Sequence, residues 1–171
     1  MRYDLRGRIT VAKTSAGMIL FRVRDAELQV LLVHPGGPFW KKKDDGAWFV
    51  PKGEVEVGEE VLDAAKREFQ EETGISPRGE FLALGSVKQK SGKTIFAWAF
   101  EGDCDPAKIK SNTFTIEWPP KSGRVAEFPE IDRADFFTLA QAKIKMHPVE
   151  FPFVERLHEI LRTKGVLRGS A

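Results

Sequence analysis

The stretch PKGEVEVGEEVLDAAKREFQEETGI, residues 51–75, holds eight acids (Glu54, Glu56, Glu59, Glu60, Asp63, Glu68, Glu71 and Glu72) against three bases (Lys52, Lys66 and Arg67). The whole chain is slightly basic, with a formal net charge of +2. Gly58 breaks the chain just before a helix-forming run, acids crowd its first turn where they suit the helix dipole, and Gly74 is a C-terminal stop. Leu62, Ala65 and Phe69 recur at i, i+3 and i+7, which predicts one buried stripe. At about 100° per residue, Glu68, Glu71 and Glu72 fall within about 100° of one another beside that stripe, so three carboxylates share one side of the helix. A solvent-facing acidic helix accounts well for Glu59, Glu60 and Asp63. It accounts poorly for the trio: Glu68 and Glu72 form an i,i+4 like-charge pair, which costs a helix about 0.2–0.5 kcal/mol, and they lie at the end where the dipole disfavours negative charge. Helix geometry leaves two readings open, a solvated face or an oxygen-ligand site for a hard cation such as Mg²⁺ or Mn²⁺.

The order of residues goes further. Gly53, five residues, Glu59, seven residues and then REFQEETGI (Arg67–Ile75) resembles the Nudix box at all nine of its defined positions across 23 residues. The resemblance implies an α+β chain with the Nudix fold, an α/β/α sandwich built on a mixed sheet. It implies that Glu68, Glu71 and Glu72, with the carbonyl of Gly53, are the metal ligands, and that Glu68 by preference deprotonates the attacking water. Arg67 and Glu59 then resemble the pair that fixes the loop against the helix, with Gly53, Glu59 and Gly74 as structural positions of the box. The implied chemistry is Mg²⁺-dependent (Mn²⁺ as the variant) hydrolysis of a nucleoside diphosphate linked to another moiety, by attack of water on a phosphorus of the bridge.

The rest of the chain sets the frame. Its 171 residues suit one domain, read as a polar leader over 1–12 and a single domain over 13–165. No apolar run approaches the roughly 20 residues of a membrane span, and MRYDLRGRITVAK has no apolar core of a secretory signal. The single Cys104 makes no internal disulfide, which sets a cytoplasmic expectation. The pI near 8.7 raises nucleic acid as a partner, but the bases are scattered and no zinc-finger or aromatic RNA-binding signature is present. No pattern specifies an oligomer. Strands are expected at Thr14–Arg24, Leu28–Pro35, Ala47–Val50, from Glu80 to Asp103 as a hairpin turning at SGK, and at Thr113–Trp118. A polar loop follows, then ADFFTLAQAKIK runs from strand into helix, and a last helix carries Val154, Leu157, Ile160 and Leu161 at helical spacing.

Outside the box, Lys52 in PKG is placed to meet a phosphate, and this form resembles dinucleoside polyphosphate hydrolases. Trp40 and Trp118, in or beside loops, are candidates to stack on a base, and Lys42 within the run Lys41–Lys43 is a candidate for the far phosphates. Phe39 lies in the same loop, whereas Trp48 and Trp98 read as core. A further acid after the box is expected from Glu117, Glu127 or Glu130, with Glu127 preferred as catalytic and Glu130 next. His34, His147 and His158 read as structural. The expected partner is a nucleotide or dinucleotide, with diadenosine tetraphosphate as the type. The alternatives are a nucleoside triphosphate pyrophosphatase acting on oxidised nucleotides, an RNA 5′ pyrophosphohydrolase, and a catalytically silent nucleotide sensor.

Overall fold

The computed structural model describes residues 13–167, together with the backbone of β1 (Arg2–Tyr3) and β2 (Ile9–Thr10), which pair antiparallel. The rest of the expected leader, and residues 168–171, lie outside the described residues. The central strands are β3 (Thr14–Arg24), β4 (Glu27–Pro35), β5 (Lys52–Glu54), β6 (Leu82–Lys88) and β7 (Thr94–Glu101). After them come β8 (Thr113–Glu117), β9 (Val125–Pro129) and β10 (Ile131–Thr138). The helices are α1 (Val61–Thr73), α2 (Leu139–Lys145) and α3 (Phe151–Thr163).

The main sheet runs β10-β4-β3-β7-β6, with β5 added to β3. Only β3 and β7 run parallel within it; β8 and β9 form a separate hairpin. Alternation along β3 explains the two layers. Ala16, Met18 and Leu20 pack with Ala64, Ala65 and Phe69 of α1, whereas Ile19 and Phe21 point the other way, into the cluster holding Phe153, Val154, Leu157 and Leu161 of α3. The result is the expected α/β/α sandwich on a mixed sheet. Phe69 is fully buried, a contribution of about 2–3 kcal/mol by area. Gly74 ends α1 with φ 77°, its N–H donating to Gln70 O at 2.7 Å. Thr138 and Gln141 close a capping box on α2.

Four expectations are corrected. Leu62 is only half-buried; Ala64, Ala65, Phe69 and Thr73 are the buried side of α1. Ala47–Val50 is not a strand but two isolated bridges, Val33 to Phe49 and Trp48 to Met146. Lys52–Glu54, expected as loop, pairs with β3 as β5. Within the expected polar loop, Val125–Pro129 form strand β9, paired with β8 in a hairpin, and Ile131 and Asp132 already belong to β10.

Candidate active site

One edge of β3 is shared by two partners. Its second half, Phe21–Arg24, pairs with β4, and its first half, Ser15–Gly17, pairs with β5. Residues 49–54 therefore enter where β4 leaves β3. Phe49 exchanges both backbone bonds with Val33 (3.0 and 2.9 Å), and Pro51 O accepts from Met18 N at 3.1 Å. This wedge brings Gly53 against α1. A Cβ on Gly53 would stand 2.0 Å from Glu68 Cδ, so only glycine admits the Glu68 carboxylate there.

Arg67 ties the loop to the helix. Its Nε and Nη2 donate to the two carboxylate oxygens of Glu59 at 2.9 and 3.0 Å, and Nη2 also donates to Glu54 O at 3.1 Å. Its Nη1 donates to Glu68 Oε1 at 2.7 Å and, more weakly, to Glu71 Oε2 at 3.4 Å. The fork of Arg67 holds the Glu59 carboxyl below its usual range, and Glu59 in turn raises Arg67. Glu72 faces the other side of the turn, where its Oε2 accepts from Lys52 N at 3.1 Å. Burial pushes the Glu72 carboxyl up to about 8, with Glu68 adding to the rise and Lys52 opposing it. Burial likewise raises Glu68, against the pull of Arg67.

The structure brings Glu130 to this group. Glu130 sits at the junction of β9 and β10, held by Glu130 N to Asn112 O and Gly36 N to Glu130 O, both at 2.9 Å. Glu130 is exposed at the cleft rim, yet partial desolvation raises its carboxyl, followed by Glu68 and Glu71, and it lines a cleft of about 240 Å³ with Glu72, Lys52, Trp40 and Phe49. Glu127 is not brought there. It lies exposed on β9, opposite Thr115. Glu117 is occupied locally, accepting from Lys121 N at 2.5 Å. The structure thus places Glu130 at the cleft and not the preferred Glu127, because the pairing of β9 with β8 holds Glu127 opposite Thr115.

Trp40 stands edge-on to Phe49 (5.5 Å) with Lys43 Nζ 4.7 Å from its ring centre, and Trp118 stands edge-on to Phe39 (5.4 Å). Phe39 is 63% exposed, Lys42 is exposed on the same loop, and Trp48 is buried in the core. The loop is anchored from behind: Lys145 reaches Asp44 and Asp45 at 2.5 and 2.9 Å, and buried His34 contacts Asp132 Oδ1 and Lys43 O at 2.8 and 2.7 Å. Lys52 does not extend freely into the cleft. Its Nζ lies 2.8 Å from Glu150 Oε2 and 4.6 Å from the Phe49 ring centre. Sequence reasoning passed over Glu150. Its one local signal is an acid in HPVEFP immediately ahead of a helix.

Among the described residues no three His, Cys, Asp or Glu side chains already converge to enclose an ion. The Arg67 contacts account for this, drawing Glu68 and Glu71 toward the guanidinium. The donor set nevertheless fits a hard divalent cation. The donors are all oxygens, Gly53 leaves the space beside Glu68 that a side chain would fill, and Glu68, Glu72 and Glu130 are each raised by desolvation first and then by neighbouring carboxylates, a cost that a cation would relieve.

The chain is also similar to known proteins. The sequence model of the NUDIX domain matches residues 13–157. The chain is 39% identical over 134 residues to a Caenorhabditis elegans protein named putative nudix hydrolase 1, covering 75% of this chain but only 34% of that protein. It is 32% identical over 140 residues to the RNA pyrophosphohydrolase of Bartonella henselae, covering 72% and 71%. It is 33% identical over 105 residues to the asymmetrical bis(5′-nucleosyl)-tetraphosphatase of Rattus norvegicus, covering 53% and 66%. The fold is similar to that of a C. elegans Ap4A hydrolase (TM-score 0.60, 18% identity, 89% and 99% covered). It is equally similar to the NUDIX domain of Shewanella oneidensis NrtR in complex with ADP ribose (TM-score 0.61, 16%, 93% and 94%). No helix among the described residues is long and apolar enough to cross a membrane.

Proposed function

We propose, from the premise that the chain belongs to the Nudix family, that it is a divalent-metal-dependent pyrophosphohydrolase whose preferred substrate is a dinucleoside polyphosphate. The observation that carries the activity is the box geometry: Glu68 against Gly53, Glu72 buried behind the Lys52 amide, and Glu130 facing both across the cleft. Glu68, Glu71, Glu72 and the Gly53 carbonyl would hold Mg²⁺, with Glu130 as the further acid, and the ion would supply charge neutralisation on the phosphate oxygens. Glu68 accepts the proton of the attacking water, and burial makes it the stronger base for that task. The water oxygen bonds to phosphorus, the bridging P–O bond breaks, and the leaving phosphate takes the electron pair. Arg67 holds Glu59, Glu68 and the loop still through this step.

Two aromatic pairs, Trp40 with Phe49 and Phe39 with Trp118, support a substrate with two bases. The similarity to the tetraphosphatase points the same way, while the similarity to an RNA pyrophosphohydrolase supplies the second reading. The test is a panel of diadenosine tetraphosphate, ordinary and oxidised nucleoside triphosphates, and 5′-triphosphorylated RNA, assayed at one Mg²⁺ concentration. The highest kcat/KM is expected for diadenosine tetraphosphate. A higher value on RNA transfers the assignment to 5′-end hydrolysis, and a higher value on triphosphates transfers it to nucleotide sanitising. Nucleotide binding without turnover on any of them refutes the enzyme reading.

A further inference from the structure

Glu150 immediately precedes α3 and is fully buried, although it is an acid. Its Oε1 accepts from Val50 N at 2.9 Å, across 100 residues of sequence. Its Oε2 lies 2.8 Å from Lys52 Nζ, off the line of a hydrogen bond. Lys52 in turn donates its own N–H to Glu72 Oε2 at 3.1 Å. A line of contacts thus crosses the sandwich, from α3 through Glu150, Lys52 and Glu72 to α1. It passes through the gap where β5 replaces β4 beside β3. A buried ion pair is a poor way to add stability, since well-packed apolar residues at such a place do as well or better. Glu150 instead grips the two residues that flank Pro51, directly ahead of Gly53.

We propose that Glu150 is a positioning residue for the metal-binding acids. It tethers the Lys52 ammonium so that the Val50–Gly53 turn stays pressed against Glu72 and Glu68, and Lys52 acts as a strut in place of a phosphate contact. The inference rests on the hydrolase reading above. It makes a prediction opposite to that of a phosphate-binding Lys52, for which freeing the ammonium from Glu150 would tighten substrate binding.

The test uses the full chain as wild type, Glu150→Gln, Lys52→Met and the double variant. Glu150→Gln keeps an oxygen for Val50 N–H and removes the charge. In metal-free protein it is expected to speed hydrogen exchange of the Lys52 amide. It is also expected to weaken Mn²⁺ binding and lower kcat, each by roughly tenfold as for other partners that hold metal ligands in place, with KM unchanged. Lys52→Met is expected to match it, and the double variant to be no worse than either single one. A lower KM in Glu150→Gln overturns the proposal, as do an unchanged Lys52 amide and unchanged Mn²⁺ affinity. If Glu150→Gln fails to fold, the double variant, which leaves no unpaired buried charge, carries the same readouts. A wild type that binds no Mn²⁺ sinks the hydrolase reading, while the metal-free exchange data still decide whether the tether exists.

Discussion

Gly53→Ala is the most demanding perturbation of the site. The added methyl would stand 2.0 Å from Glu68 Cδ and 2.2 and 2.3 Å from its oxygens. Ordinary carbon contacts lie at about 3.5–4.0 Å, so one partner must retreat by about 1.5–2 Å. Glu68 cannot swing away freely, because Arg67 Nη1 holds its Oε1 at 2.7 Å and Arg67 is itself locked on Glu59. If the backbone retreats instead, it draws Lys52 N from Glu72 and opens β5 from β3. Either relief moves a carboxylate that must hold its place. A misplacement of about 1 Å is enough to cost about a hundredfold in rate, so kcat is expected to fall by about that factor or more. Gly53 does not sit in the left-handed region, so alanine adopts its backbone without strain and the stability loss stays near the 1–3 kcal/mol of local overpacking, roughly. Steady-state kinetics at saturating Mg²⁺, Mn²⁺ titration and denaturant unfolding on the same preparation measure all three. Near-wild-type turnover with unchanged Mn²⁺ affinity would refute the placement of Gly53 against Glu68. A loss of activity matched by global unfolding would refute the claim that the damage is local.

The remaining predictions concern the acids. Glu72 has a carboxyl near 8 in the fold against about 4.5 free, so between those values the unfolded chain has lost a proton that the folded chain keeps. Metal-free protein is therefore expected to lose stability as pH rises from about 5 to 8, and Glu72→Gln to flatten that loss while lowering turnover by orders of magnitude. Urea unfolding in chelator across that pH range is the measurement, and a wild type that gains stability toward pH 8 contradicts the burial of Glu72. Glu130→Gln is expected to reduce kcat more than Glu127→Gln or Glu117→Gln, since only Glu130 shares the cleft with Glu72. A larger loss in either of the other two would return the role to the β8–β9 hairpin.

What the sequence by itself determined lies within one helix turn or one short loop. The side of α1 that carries Glu68, Glu71 and Glu72 and the Gly74 stop follow from helical period and local composition, while the pairing of Arg67 with Glu59 came from the resemblance of the motif and stands in the structure as a two-pronged contact. Thr14–Arg24 was legible as a strand from its composition, but its two apolar faces, one toward α1 and one toward α3, became visible only in the fold. The tertiary structure decided everything that depends on which distant segments meet. Lys52–Glu54 becomes a strand only because β4 leaves one edge of the first half of β3 open, and Glu130 lines the cleft because it stands at the junction of β9 and β10, where Gly36 N donates to its carbonyl, while Glu127 lies within β9 opposite Thr115. Glu150 carries no local mark of its contacts with Val50 and Lys52, since the α3 layer must first be packed beneath the sheet before its carboxylate can reach through. Strand pairing and layer packing are long-range choices, made by burial and backbone hydrogen bonding over the whole domain, so no window of sequence contains them.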